Sequence, residues 1–103
     1  MILSTEEGDV PDPSGEDLEK ALRRCLNEEI DYVRLDSDVE SNAFMQTGYG
    51  LGALEYCEND SVPIYAAVIT PTPEEMIVIF QAYGRNDPVW RTAVEWKIEI
   101  AEL

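Results

Sequence analysis

Residues 72–84 have the sequence TPEEMIVIFQAYG, which carries the clearest local structural signal in the chain. Thr72 is a favourable N-cap, Pro73 suits the first helical position, and Glu75 stands where a capping box needs a carboxylate. These signals predict a helix that starts at Pro73 and that Gly84 ends in the left-handed conformation. Its buried stripe is predicted to contain Met76, Ile79, Phe80 and Tyr83.

A second helix is predicted upstream, from about residue 15 to 26. Ser14 is its expected N-cap, and Asp17 occupies the third helical position. The apolar residues of this helix follow at helical spacing and are Leu18, Ala21, Leu22 and Cys25.

Residues 1–13, in contrast, carry acidic residues and prolines without an apolar period, which predicts a flexible acidic N-terminal arm.

Short antiparallel strands are predicted between the two helices and after the second. There the periodicity falls toward two, and turn formers separate β-branched and aromatic residues. We expect a hairpin turn at 59–61 and a tight connection at 48–52 that needs a positive φ. The strands are placed near 30–35, 43–48, 52–57, 62–69 and 94–100.

The two tryptophans are expected to differ in burial. Trp96 is expected to anchor the core, whereas Trp90 is expected to be half exposed.

These elements predict the α+β class. A chain of 103 residues with 45% hydrophobic content suits one compact domain. We expect a single α+β domain over residues 14–103, preceded by the arm at 1–13. Its antiparallel sheet should have about five strands and carry two helices.

The charge balance indicates a cationic partner. The chain has 22 acidic and 7 basic residues, no histidine and a formal net charge of -15. Such an excess weakens the compact state through self-repulsion, so a positively charged protein partner is one reason to keep it. Nucleic acid and anionic membrane surfaces are disfavoured as ligands, because both bear the same sign of charge.

Residues suited to catalysis are scarce. Without histidine, the commonest general base is missing, and triads that need it are excluded. The glycines at 48–52 lack the helix start and lysine of a phosphate cradle. Cys25 and Cys57 are expected to be reduced, with a disulfide as the minority alternative. We therefore expect no enzymatic activity, no catalytic residue, no metal and no cofactor.

The N-terminus has neither the basic flank nor the long apolar stretch of a signal peptide. No window approaches the ~20 apolar residues that a membrane span needs. We expect a cytoplasmic protein.

A group of carboxylates and tyrosines is the candidate binding surface. Asp36, Asp38 and Glu40 alternate near the end of a predicted strand, where they are expected to meet carboxylates of the next hairpin. Three interpretations stay open: a Ca²⁺, Mg²⁺ or acid–base site, a solvated acidic loop, or a surface for Lys and Arg of another protein. We favour the last, while ordinary packing against the sheet remains open for each tyrosine. The candidate residues are Asp36, Asp38, Glu40, Tyr49, Glu55, Tyr56, Glu58 and Asp60.

The C-terminal half resembles a known family. Residues 69–76 (ITPTPEEM), Phe80, 84–88 (GRNDP) and 94–96 (VEW) resemble the first numbered immunity-protein family of bacterial polymorphic toxin systems. The segments 45–48 and 54–56 also fit that family's central sheet, and the resemblance covers roughly residues 14–100. It implies an α+β fold and direct binding to a secreted toxin, often a nucleic-acid deaminase and otherwise a nuclease. The arm at 1–13 has no counterpart there.

The sequence therefore supports two functions from different classes. The first is an immunity protein that occludes the basic active-site cleft of a cognate toxin. The alternative is an acidic nucleic-acid mimic that inhibits several DNA- or RNA-acting enzymes. A small carboxylate–metal enzyme is a third possibility.

Overall fold

A computed structural model, which describes residues 1–38, 43–58 and 63–100, places two helices on a seven-stranded antiparallel sheet. The α+β class is confirmed. The strand order across the sheet is β2-β1-β3-β4-β5-β6-β7. The elements in chain order are β1 Ile2–Thr5, β2 Gly8–Pro11, α1 Gly15–Leu26, β3 Tyr32–Asp38, β4 Ala43–Gly48, β5 Leu54–Cys57, β6 Ile64–Ala67, α2 Pro73–Gly84 and β7 Trp96–Ile100. The predicted turn at 59–61 lies outside the described residues.

Both helices begin where their caps predict. At α1 the Ser14 backbone N–H donates to Asp17 (2.9 Å), and the Asp17 N–H donates to the Ser14 hydroxyl (3.1 Å). Thr72 and Glu75 form the same reciprocal pair at α2, with distances of 3.1 and 3.3 Å. Each capping box satisfies backbone donors that a helix start leaves unpaired.

The end of α2 differs from the expectation. Gly84 is the last helical residue, and Asn86, not Gly84, adopts the left-handed conformation with φ 59°. Gly84 instead permits close packing, because a Cβ there would lie 3.1 Å from Cδ1 of Leu18 on α1. The glycine therefore sets how closely the two helices approach.

The N-terminal segment is part of the sheet, so the expected flexible arm at 1–13 is wrong. β1 pairs with β2 from Ile2 opposite Pro11 to Thr5 opposite Gly8, and also with β3. Leu3 is buried in the core. This hairpin accounts for the difference between the expected five strands and the observed seven. The hairpin was not recognised in the sequence, because β2 is an exposed edge strand made of acidic and turn-forming residues.

Strand register gives the sheet a helix-covered face and an open face. Leu3 lies opposite Leu35, which lies opposite Met45. Met45 in turn lies opposite Tyr56. These residues belong to one buried cluster with the apolar sides of α1 and α2. Their sequence neighbours project to the other side, since side chains alternate along a strand.

An aromatic cluster closes the core beside β5, β6 and β7. The Tyr56 ring stacks on Tyr65 at 4.9 Å and meets Trp90 and Trp96 edge-on at 4.8 and 4.6 Å. Trp96 packs against the core as expected. Trp90 is only 5% exposed, so its expected half exposure is wrong. The 3-10 turn at Pro88–Arg91 inserts its ring into the core.

Both cysteines are free and buried. The Cys25 thiol donates to the Gly48 carbonyl at 3.2 Å. Burial raises the pKa of Cys25. In the part of the chain that the structure describes, no helix is long and apolar enough to cross a membrane.

Candidate functional site

The predicted binding residues do not form one surface. Glu40 and Asp60 lie outside the described residues, and the side chain of Asp38 does as well. Of the others, only Asp36 and Glu55 line the same depression.

Asp36 and Glu55 lie in a shallow groove on the open face of the sheet, here called the sheet groove. Its defining residues are Ser4, Tyr32, Arg34, Asp36, Gln46 and Glu55. Register aligns several of them, because Ser4 lies opposite Arg34, Arg34 opposite Gln46, and Gln46 opposite Glu55. Polar side chains thus form a row across four neighbouring strands.

The groove's polar groups find partners within the chain. Arg34 Nε donates to Asp36 at 3.0 Å, and the Arg34 guanidinium lies 3.9 Å from the centre of the Phe44 ring. Gln46 Nε2 donates to Glu55 at 3.0 Å. Phe44, whose ring the Arg34 guanidinium covers, is only 5% exposed.

Glu55 has an unusual environment within the groove. Burial raises its pKa above the usual range, and a hydrogen bond with Glu99 raises it further, while the bond from Gln46 acts in the opposite direction. Glu55 lies opposite the small Ala66, which in turn lies opposite Lys97 of β7. The Glu99 carboxyl group on β7 can therefore reach Glu55 across β6, because the Ala66 side chain is small.

The remaining candidates lie elsewhere. Tyr56 is 7% exposed and belongs to the aromatic cluster, so its ring offers little contact area. Glu58 is exposed but forms an ion pair with Arg91. Tyr49 is exposed on the 3-10 turn Tyr49–Leu51. Tyr56 therefore packs in the core, whereas Glu58 and Tyr49 remain at the surface.

The arginines are paired within the chain. Each one forms an ion pair with a carboxylate of the same chain, and the pairs are Arg23–Glu19, Arg24–Glu7, Arg34–Asp36, Arg85–Asp87 and Arg91–Glu58. Many carboxylates are left over. Those that form no ion pair with another described residue are Glu6, Asp9, Glu16, Asp17, Glu28, Asp31, Glu55, Glu74, Glu75, Glu95 and Glu99.

A second surface, which sequence reasoning did not identify, lies beside α2. It consists of two adjoining hollows that share Glu75, and neither hollow has Lys or Arg among its lining residues. We call it the α2 surface and define it by Val68, Ile69, Glu74, Glu75, Val78, Ala93, Val94 and Glu95. It combines exposed apolar side chains with carboxylates that form no ion pair with another described residue.

Ile69 is the most exposed large apolar side chain on this surface, at 80%. Its two neighbours are fixed by hydrogen bonds. The Val68 N–H donates to the Glu95 carbonyl at 2.8 Å, and the Thr70 hydroxyl donates to the Gly52 carbonyl at 3.1 Å. The backbone that carries Ile69 is therefore held on both sides, although the side chain faces solvent.

A sequence signal for this surface existed but was ambiguous. Residues 76–80 are five consecutive apolar residues, and a helix with 3.6 residues per turn cannot turn all of them toward one core. The structure leaves Val78 56% exposed and buries the other four. Periodicity alone did not identify which of the five faces outward.

Within residues 1–38, 43–58 and 63–100, no group of three or more Cys, Asp or Glu side chains is placed to hold a metal ion. No protein-family model, curated protein or solved structure matches the chain.

Proposed function

We propose that this chain is an immunity-type protein that binds and inhibits a cationic toxin in the cytoplasm of the cell that makes it. The observation that carries the proposal is that many carboxylates have no cationic partner among the described residues. The arginines are paired with carboxylates of their own chain, while carboxylates such as Glu74 and Glu95 have no cationic partner among the described residues. An excess of uncompensated negative charge favours association with a positively charged protein.

The toxin's chemistry follows from the same complementarity. An enzyme that acts on nucleic acid needs Lys and Arg around its substrate channel. A chain of net charge -15 is attracted to such a channel and can occlude it. This argument supports a toxin that acts on nucleic acid, and we propose that it is a deaminase or a nuclease.

A complex of this kind has a characteristic size and kinetics. A stable interface buries about 1,600 Å² in total, and opposite charges raise the association rate up to about 10⁸–10⁹ M⁻¹s⁻¹ at low salt. Association should therefore be fast and should slow as ionic strength rises.

The test begins with the product of the adjoining reading frame. If that product arrests growth, co-expression of this chain should restore growth, and the two proteins should co-purify as a stoichiometric complex. The association rate, measured by stopped-flow at roughly 0.03 and 0.3 M salt, should fall by about 10-fold or more.

Other outcomes would contradict the immunity function. A neighbour that is harmless, or that arrests growth despite co-expression, would count against it. Equal inhibition of several unrelated nucleic-acid enzymes would instead favour the mimic, since an immunity protein discriminates among partners.

A further inference from the structure

Exposed apolar side chains of the α2 surface lie close together. Ile69, Val78 and Val68 are 80%, 56% and 43% exposed, and they line two hollows that share a wall at Glu75. Single exposed apolar residues are normal on a protein, but a group of them rimmed by charge is typical of a protein-binding surface.

The backbone beneath this group is already ordered. Hydrogen bonds fix Val68 and Thr70 on the two sides of Ile69, and the capping box of Thr72 and Glu75 fixes the start of α2. A partner that covers Ile69 therefore has little backbone to immobilise, and preorganisation of this kind favours affinity.

The sign of charge around the group selects the partner. Glu74 and Glu95 border the hollows, with Glu75 between them, and no Lys or Arg lines either hollow. An acidic or neutral apolar segment would leave these carboxylates without compensation. A segment that carries Lys or Arg beside an apolar side chain would satisfy both features.

We propose that the α2 surface is the docking site for a cationic amphipathic segment of the partner protein, with Ile69 and Val78 as apolar anchors. This inference rests on the proposed function, because it assigns the inhibitory contact to this end of the molecule. It removes the sheet groove as the principal contact, since Asp36 and Glu55 already have partners there.

A defined probe tests the site without the toxin. The probe is a synthetic 15-residue amphipathic helix of Leu and Lys, and its control is the same peptide with Glu in place of Lys. Titration of the ¹⁵N-labelled chain at roughly 0.15 M salt reduces non-specific attraction, since the Debye length is then about 8 Å. We expect saturable backbone shift changes centred on residues 68–78 and 93–95, and none with the Glu peptide.

Matched variants separate apolar docking from general attraction. Ile69→Ser with Val78→Ser should weaken binding by roughly 10-fold, because two apolar anchors are lost. Val89→Ser is the control, since Val89 is 51% exposed and lies outside the α2 surface. Glu74→Gln with Glu95→Gln should weaken binding more than Glu16→Gln with Glu28→Gln, which removes the same charge elsewhere.

Three results would overturn the site. They are shift changes that centre on the sheet groove, changes that spread evenly over the surface, or equal weakening by the α2 variants and their controls. Failure of the proposed function is distinguishable, because it appears as a lack of growth rescue whatever the peptide does. If the toxin binds the wild-type chain and the Ile69→Ser, Val78→Ser variant equally well, only the docking site is wrong.

Discussion

The sheet groove and the α2 surface both carry carboxylates, but these carboxylates have different environments. In the groove, Asp36 accepts from Arg34 and Glu55 accepts from Gln46. On the α2 surface, Glu74 and Glu95 line hollows without Lys or Arg, beside exposed apolar side chains. The number of carboxylates on a face therefore does not measure how available they are to a partner.

The apolar residues of the two regions differ in the same way. Phe44 is covered by the Arg34 guanidinium and contributes to the stability of the open face. Val78 has no such cover and faces solvent. The groove is thus organised mainly for folding, whereas the α2 surface is suited to contact.

The largest expected effect is the difference in stability between variants of Phe44 and Val78. Phe44→Ala should lower the free energy of unfolding by about 3–5 kcal/mol, because it removes a buried aromatic ring and leaves a cavity. Val78→Ala should change it by less than about 0.5 kcal/mol, since the side chain is largely exposed. Urea unfolding followed by far-UV circular dichroism measures both. Similar losses in the two variants would remove the distinction between the regions.

An intermediate effect is expected at the helix caps. Thr72→Ala should cost about 1 kcal/mol because α2 loses its N-cap acceptor. Ser14→Ala removes the equivalent acceptor from α1, away from the α2 surface, and should cost a similar amount. Only Thr72→Ala should also weaken binding of the Leu–Lys peptide, measured by calorimetry. Equal peptide affinity in the two variants would mean that the cap does not support the binding surface.

The smallest effect is a pair of opposite pH dependences. The hydrogen bonds from Thr72 lower the pKa of Glu75, so its contribution to stability is present above its unfolded value of about 4.5 and is lost as pH falls. Burial raises the pKa of Glu55, so its contribution is present below that value and is lost as pH rises through the raised pKa.

Glu75→Gln and Glu55→Gln test these signs. Relative to wild type, Glu55→Gln should gain stability as pH increases from 4 to 8, and Glu75→Gln should lose it over the lower part of that range. Thermal unfolding at each pH measures both curves. Parallel curves would contradict the different environments of the two glutamates.

The sequence predicted the helices well because their signals are local. Ser14 with Asp17, and Thr72 with Glu75, lie three residues apart, and such short-range hydrogen bonds do not depend on the rest of the fold. The segment at 1–13 failed for the opposite reason. β2 forms only through pairing with β1, and its residues resemble a loop when they are considered alone.

The candidate site was less predictable because it depends on which face of the sheet each residue occupies. Glu55 and Tyr56 are neighbours in sequence, yet one lies in the groove and the other in the aromatic cluster. Trp90 lies between Val89 and Arg91 and was expected to be half exposed, but its turn directs the ring inward. Strand register and the direction of turns determine these positions, and neither can be predicted from the local amino-acid composition.

The aromatic cluster has a practical consequence for spectroscopy. The chain contains two tryptophans, and their rings lie 6.0 Å apart at an interplanar angle of 82°. Both emit from the same corner of the molecule, beside β5 and β7, and two tyrosines in contact with them can transfer excitation to them. Tryptophan fluorescence therefore observes that corner alone, so loosening of the N-terminal hairpin, which contains no tryptophan, will leave this signal unchanged unless the core opens with it.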